Sequence, residues 1–291
     1  MNRSLVLLIA MASFGCGDKL RPTDPTPFDP PTIEAERARP FPMGFGYFRA
    51  ISKYGDYSSE IRCYTDTVHL GYWDFDGRLD AIAQALVTAK AQGFKIIYEM
   101  HQDPGAAGKM IAAAAPVWDA VIAVDAVDEP STKNLDRWLG EVRTAIERAG
   151  LSPRPIGVTT QYGVATSESI GYTEGLDWIG IEGYVEPGQF GAPEDNADIL
   201  RDHLSRAIAN IPPHVDIVIV GMGYSRNFHI SDITALAKLQ EVTFEYAQDE
   251  PRVQGISFFS YGRPSGTRDY PELKAAHKAS AKLLGINTCG N

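Results

Sequence analysis

From Phe41 onward, short apolar runs alternate with longer amphipathic stretches, and no second linker interrupts them. That alternation constrains the fold more than any other feature. Parallel strands need a crossover of a dozen or more residues between them, and a helix is the usual crossover. The runs read as eight strands, at 42–49, 66–73, 94–101, 121–128, 154–162, 177–184, 215–224 and 254–261. Helical periodicity fills 78–92, 107–118, 131–149, 194–210, 231–248 and 270–284, with short helices expected near 56–63 and 166–172. Eight units in about 250 residues match an α/β chain closed into a (β/α)₈ TIM barrel. The alternative is an open doubly wound sheet, but no glycine-rich phosphate loop follows the first strand.

The chain ahead of the barrel has a different character. Asn2 and Arg3 precede the apolar run LVLLIAMA, which has the length of a secretion leader and is too short for a stable membrane span. Residues 17–40 carry six prolines (22, 25, 27, 30, 31 and 40) and few aliphatics, a composition that favours an extended spacer over a core. The expected plan is a leader over 1–15, a tether over 16–40 and one barrel domain over 41–291.

Charge and cysteine content exclude some functions. The formal net charge is 27 − 37 = −10, a poor match for phosphate backbones, so no nucleic-acid partner is expected. Three cysteines make neither a disulfide scaffold nor a multi-cysteine zinc module. Cys63 precedes the second strand and Cys289 follows the last helix, which brings both toward the N-terminal face. In an oxidising compartment they can pair, and two free thiols are the alternative.

In a barrel, side chains alternate between interior and helix layer, and chemistry gathers at the C-terminal strand ends. With Ile96, Tyr98 and Met100 outward, Glu99 and His101 face in. With Ile179 and Ile181 outward, Trp178, Glu182 and Tyr184 face in. With Ile122, Val124 and Ala126 outward, Asp125 and Glu129 face in, with Asp128 beside them. Gln161 is inward if Ile156 and Val158 are outward. An unpaired buried carboxylate costs several kcal/mol, so such groups are paired, protonated or functional. The structural alternative for Glu99, Glu129 and Glu182 is an ion pair with Arg49, Arg226 or Arg263. Tyr47, Tyr72, Trp73, Tyr162, Tyr184, Tyr224 and Tyr261 also fall near strand ends. Rings beside carboxylates suit sugars, whose C–H faces stack and whose hydroxyls need acceptors.

Two resemblances follow from these residues. Ser13-Phe14-Gly15-Cys16 resembles a bacterial lipobox, which implies cleavage before Cys16, lipidation of its thiol and a membrane tether in the cell envelope; the alternative is ordinary secretion to the periplasm or beyond, with Cys16 inside the removed leader. Asp128-Glu129-Pro130, ending the fourth strand, resembles the Asn-Glu-Pro of clan A glycoside hydrolases, which are (β/α)₈ barrels. The resemblance implies that Glu129 is the general acid/base. His101 resembles the histidine that cellulase-like members carry after the third strand, and Tyr184 keeps the tyrosine of their His-x-Tyr. Clan A enzymes place a nucleophilic glutamate at the end of the seventh strand, whereas here that strand ends Val220-Gly221-Met222-Gly223-Tyr224.

The expected activity is therefore hydrolysis of an extracellular or cell-envelope polysaccharide or oligosaccharide. Glu129 is expected to act as general acid, its pKa raised by burial and by Asp125 and Asp128, with Glu182 as second carboxylate. The expected sugar contacts are His101, Tyr184, Trp73, Tyr47, Tyr224, Tyr261, Gln161 and Asp128. No cofactor or metal is called for. Two alternatives stay open: a carbohydrate-binding barrel that has lost its nucleophile, and a metal-dependent barrel using Glu99, His101, Glu129 and Glu182 as ligands.

Overall fold

The structure is a computed structural model. It describes residues 38–100, 104–130, 135–161, 175–185, 193–224 and 233–286. The leader, Cys16 and most of the tether lie outside the described residues, as do His101, Tyr162, Arg226, Cys289 and the short helix expected near 166–172.

Eight parallel strands close into a barrel. They are β1 (Gly44–Phe48), β2 (Thr67–Gly71), β3 (Lys95–Glu99), β4 (Val121–Asp128), β5 (Ile156–Gln161), β6 (Trp178–Glu182), β7 (Asp216–Met222) and β8 (Val253–Phe259). Each pairs with its neighbours in sequence, and β8 closes onto β1 through Gly44↔Gly255 to Tyr47↔Phe258. The described helices are α1 (Ser58–Ile61), α2 (Leu79–Ala91), α3 (Ala107–Ala114), α4 (Leu135–Arg148), α5 (Pro193–Asn210), α6 (Ile233–Asp249) and α7 (Pro271–Leu283). Among the described residues, no helix is long and apolar enough to cross a membrane.

The strands alternate as a barrel requires. Ile96 and Tyr98 of β3, Ile179 and Ile181 of β6, and Ile217 and Ile219 of β7 join helix residues such as Leu86, Leu139 and Leu204 in the main core. The opposite parity builds a separate interior cluster from Ile97, Ala123, Trp178 and Val218. Gly157 of β5 makes room for it, because a Cβ there would overlap the Trp178 ring. Ahead of β1 the backbone is fastened to the barrel by Arg39, whose guanidinium donates to the carbonyls of Ala247 (2.6 Å), Glu250 (3.0 Å) and Val253 (2.9 Å). Cys63, after α1, is disulfide-bonded.

Candidate active site

A cavity of about 320 Å³ opens where β1, β3, β4, β6 and β8 end. Glu99 closes β3, Asp128 closes β4 with Glu129 next in the chain, and Glu182 closes β6; all four line it. Phe48 and Phe259, from the paired strands β1 and β8, form an apolar wall that Trp73 and Tyr224 extend. A larger groove, about 890 Å³, runs between α3 and α4 past Gly108 and Gly140. It is lined by helix and loop residues on the barrel's flank, and none of the strand-end carboxyls borders it.

Two local departures from regular backbone shape this mouth. Between β4 and β5, Asp125 pairs with Gly157 but Asp128 pairs with Thr159, so β4 spends three residues where β5 spends two. This bulge turns Asp128 inward as well as Asp125. Glu129 then adopts φ +47, while its amide still donates to the Thr159 carbonyl at 2.9 Å. Left-handed backbone at a glutamate is strained by about 1–2 kcal/mol, and its position at the rim of a cavity fits a site held for function. The Glu129 side chain is exposed. Its Oε1 accepts the Gln161 amide at 2.7 Å.

Beneath the rim the acids are crowded, with Asp74, Glu99 and Asp125 buried and Asp128 and Glu182 half-buried. Burial pushes Glu182 up to about 8, helped by the charges of Asp128 and Glu129; the Tyr184 hydroxyl, donating at 3.4 Å, acts the other way. Asp128 is pushed up to about 7, by burial first and then by Asp125 and Glu129, with Arg49 opposing. Asp74 reaches about 7 through burial, against Arg49, the Gly71 amide and Lys53. Glu99, 4% exposed, is held well above its ordinary range by burial and by Asp74, Asp128 and Asp125. Groups this close share protons as a set. Deeper still, Asp125 accepts the Thr159 hydroxyl at 2.6 Å and lies 3.4 Å from His69 Nε2. Burial lowers His69, so this contact joins a carboxyl to a neutral ring. That ring stacks on Phe48 with centroids 3.9 Å apart.

No family model matches this sequence, and no curated protein matches it significantly. Solved structures do match in fold. The chain is similar to a β-glucuronidase from Ruminococcus gnavus at 17% identity and TM-score 0.63, covering 84% of this chain and 50% of that one. It is similar to a GH113 β-1,4-mannanase at 14% identity and TM-score 0.57, covering 85% and 99%. Xylanase 10B from Thermotoga maritima matches at 12% identity and TM-score 0.54, covering 84% and 95%. At these identities the likeness is one of fold, a closed (β/α)₈ barrel. The chain spans about half the length of the glucuronidase.

Within this barrel, Trp73, Asp128, Tyr184 and Tyr224 reach the cavity, together with both expected carboxylates. Gln161 stands at the rim on Glu129. Tyr47 and Tyr261 do not join them. Tyr47 shares the outward parity of Phe45 and hydrogen-bonds His277 of α7, and the Tyr261 hydroxyl donates to Glu60 at 2.9 Å. The expected burial of Glu129 is also not found; of the glutamates on the cavity, Glu99 is buried and Glu182 half-buried. Among the described residues, no ion pair joins Arg49 to Glu99, Glu129 or Glu182, so that structural alternative fails for Arg49. At the end of β7, Met222 packs with Leu236, Ala237, Leu273 and Ala276, and no β7 carboxylate lines the cavity.

Asp74, His69, Phe48 and Phe259 were not expected at the site, and Arg49 was expected there only as an ion-pair partner of the glutamates. For His69 a signal existed, since Val68 and Leu70 form an outward pair that sets it inward. Asp74 belongs to a tight turn, Tyr72–Asp74, where its carboxylate accepts the Gly71 amide at 2.9 Å. That turn carries Trp73 to the cavity, and nothing in the local pattern announces it.

Proposed function

We propose that this chain hydrolyses glycosidic bonds of an extracellular or cell-envelope polysaccharide or oligosaccharide, with Glu129 and Glu182 as the working carboxyls. The observation that carries this reading is their placement on one cavity in opposite environments. Glu182 is half-buried and raised to about 8, whereas Glu129 is exposed and held by Gln161. Glycoside cleavage needs one carboxyl that holds a proton and one that does not.

The roles then run opposite to the sequence expectation. Glu182 gives its proton to the glycosidic oxygen as the C–O bond breaks, and the aglycone leaves as an alcohol. Glu129, as carboxylate, meets the anomeric carbon directly or takes a proton from the water that attacks it. Phe48, Trp73 and Phe259 offer ring faces to the sugar. The leader-like run ahead of the lipobox-like Cys16 supports export and a lipid tether at the cell envelope.

Aryl glycosides test the roles. A dinitrophenolate leaves without a proton, so Glu182→Gln should lose about 10²–10⁴-fold on a native glycan and far less on the dinitrophenyl glycoside. Glu129→Gln should lose heavily on both. Equal losses for Glu182→Gln on the two substrates would remove it as the acid.

The absence of a β7 carboxylate from the cavity wall favours a second reading, a barrel that binds sugar without cleaving it. Binding to glucans, mannans or peptidoglycan fragments with no product after prolonged incubation would select that reading.

A further inference from the structure

Arg49 is the one cation among the described residues lining the cavity, and the hydrolytic step leaves it without a task. It follows β1 directly with φ +58. Its carbonyl accepts the Gly262 amide at 3.1 Å, and a Cβ at Gly262 would crowd that carbonyl. The backbone is thus pinned in a shape that non-glycine residues avoid. The guanidinium lies over the Phe259 ring, Cζ 5.1 Å from its centroid. Among the described residues it has neither an ion pair nor a hydrogen-bond acceptor.

An arginine kept only to balance charge would sit on one of the carboxylates around it. Asp74, Glu99 and Asp128 all feel its field, yet none is bonded to it. Stacking holds one face of the guanidinium and leaves its planar edge, a fork of N–H donors matched to two oxygens of one anion. Protons retained by the buried acids leave the positive charge less cancelled than the formal count suggests.

We infer that Arg49 reads an anionic substituent on the sugar, a uronate carboxylate gripped by both oxygens, and so selects acidic glycans over neutral ones. This deepens the glycosidase reading and rests on it. A sulfate ester presents a similar edge, so the test carries both anions.

Hydrolysis of 4-nitrophenyl glucuronides, glucosides and 6-sulfated glucosides, each in both anomers, is compared with calorimetric binding of free D-glucuronate and D-glucose. Wild-type kcat/KM should favour the glucuronide over the matching glucoside by about tenfold or more, as a charge-assisted bidentate pair allows. Arg49→Gln should bring that ratio near one. Arg49→Lys, which keeps charge and loses the fork, should fall between and shows that the effect is not misfolding. A stronger Arg49-dependent preference for the sulfated sugar keeps the anion-reading role and names sulfate as the anion. Glucoside hydrolysis with no acidic preference, or a preference that survives Arg49→Gln, overturns the inference and leaves the glycosidase reading standing. Arg49-dependent glucuronate binding without turnover of any glycoside supports the inference and overturns hydrolysis. No binding and no turnover overturns both.

Discussion

The barrel interior has two layers built by the same strands, and they could hardly differ more. The lower layer is Ile97 of β3, Ala123 of β4, Trp178 of β6 and Val218 of β7, apolar and at most 1% exposed. About two residues higher, roughly 6–7 Å along each strand, β3 offers Glu99 and β4 offers Asp125; β6 reaches Glu182 four residues on. Alternation is identical in both layers, so side-chain orientation does not separate them; chemistry does. The lower layer gains from removing apolar surface from water. The upper layer crowds carboxyls where burial raises every one it shifts. The fold is held by one layer and strained by the other.

The largest test of that contrast is Trp178→Ala. The side chain is fully buried, and nothing small enough to refill its space lies opposite, since Gly157 has no side chain. Truncation should cost about 3–5 kcal/mol, read as a lower urea midpoint at unchanged m-value. A loss no greater than that of a surface variant would mean that the lower layer does not hold the barrel.

Glu182→Gln should move stability the other way. A carboxyl whose folded pKa is raised keeps its proton while the unfolded chain releases one. Its contribution is therefore fully present below the unfolded value of 4.5 and is lost as pH rises through about 8. Wild-type stability should decline between pH 5 and 8, and the variant should decline less. Each tenfold difference in proton affinity between the folded and unfolded chain is worth about 1.4 kcal/mol, and neighbouring acids share the effect. At pH 8 the variant should therefore be the more stable by about 1–4 kcal/mol. Urea titrations at pH 5 and pH 8 decide this; parallel slopes for the two proteins would show that burial at Glu182 does not strain the fold.

The same contrast explains what the sequence made legible. All eight strands were readable, β4 to the residue, because apolar runs outline every buried strand whatever layer they serve. Parity on β3 and β6 placed Glu99, Trp178, Glu182 and Tyr184 inward. Parity failed on β4 beyond Asp125, because a bulge leaves no mark in the residue pattern and Asp128 joined the cavity through it. Tyr47 faces the helices for a reason carried by its neighbours. Gly44, Gly46 and Phe48 share the inward side of β1, and a Cβ on Gly46 would meet the Thr67 carbonyl, so the tyrosine between them turns to the helices. Arg49 and Asp74 sit just after strands, in turns whose shape depends on contacts distant in sequence. The burial of Glu182 and the exposure of Glu129 depend on how far each strand end projects, a length that periodicity does not carry.

The smallest test is the most specific to the upper layer. Tyr184→Phe removes one hydroxyl, which donates to Glu182 at 3.4 Å. At that length the bond contributes little, so stability should change by less than about 1 kcal/mol. The sign of its effect on the site is nevertheless fixed. The donated hydrogen bond favours the ionised form of Glu182 and works against burial, so its loss should push that carboxyl further up. If Glu182 is the proton donor, the alkaline limb of the kcat/KM profile should move to higher pH in the variant. A packing role for Tyr184 alone would leave the limb in place and change only KM. A shift to lower pH would mean that the limb reports another group, and Glu182 would then no longer be the acid of the upper layer.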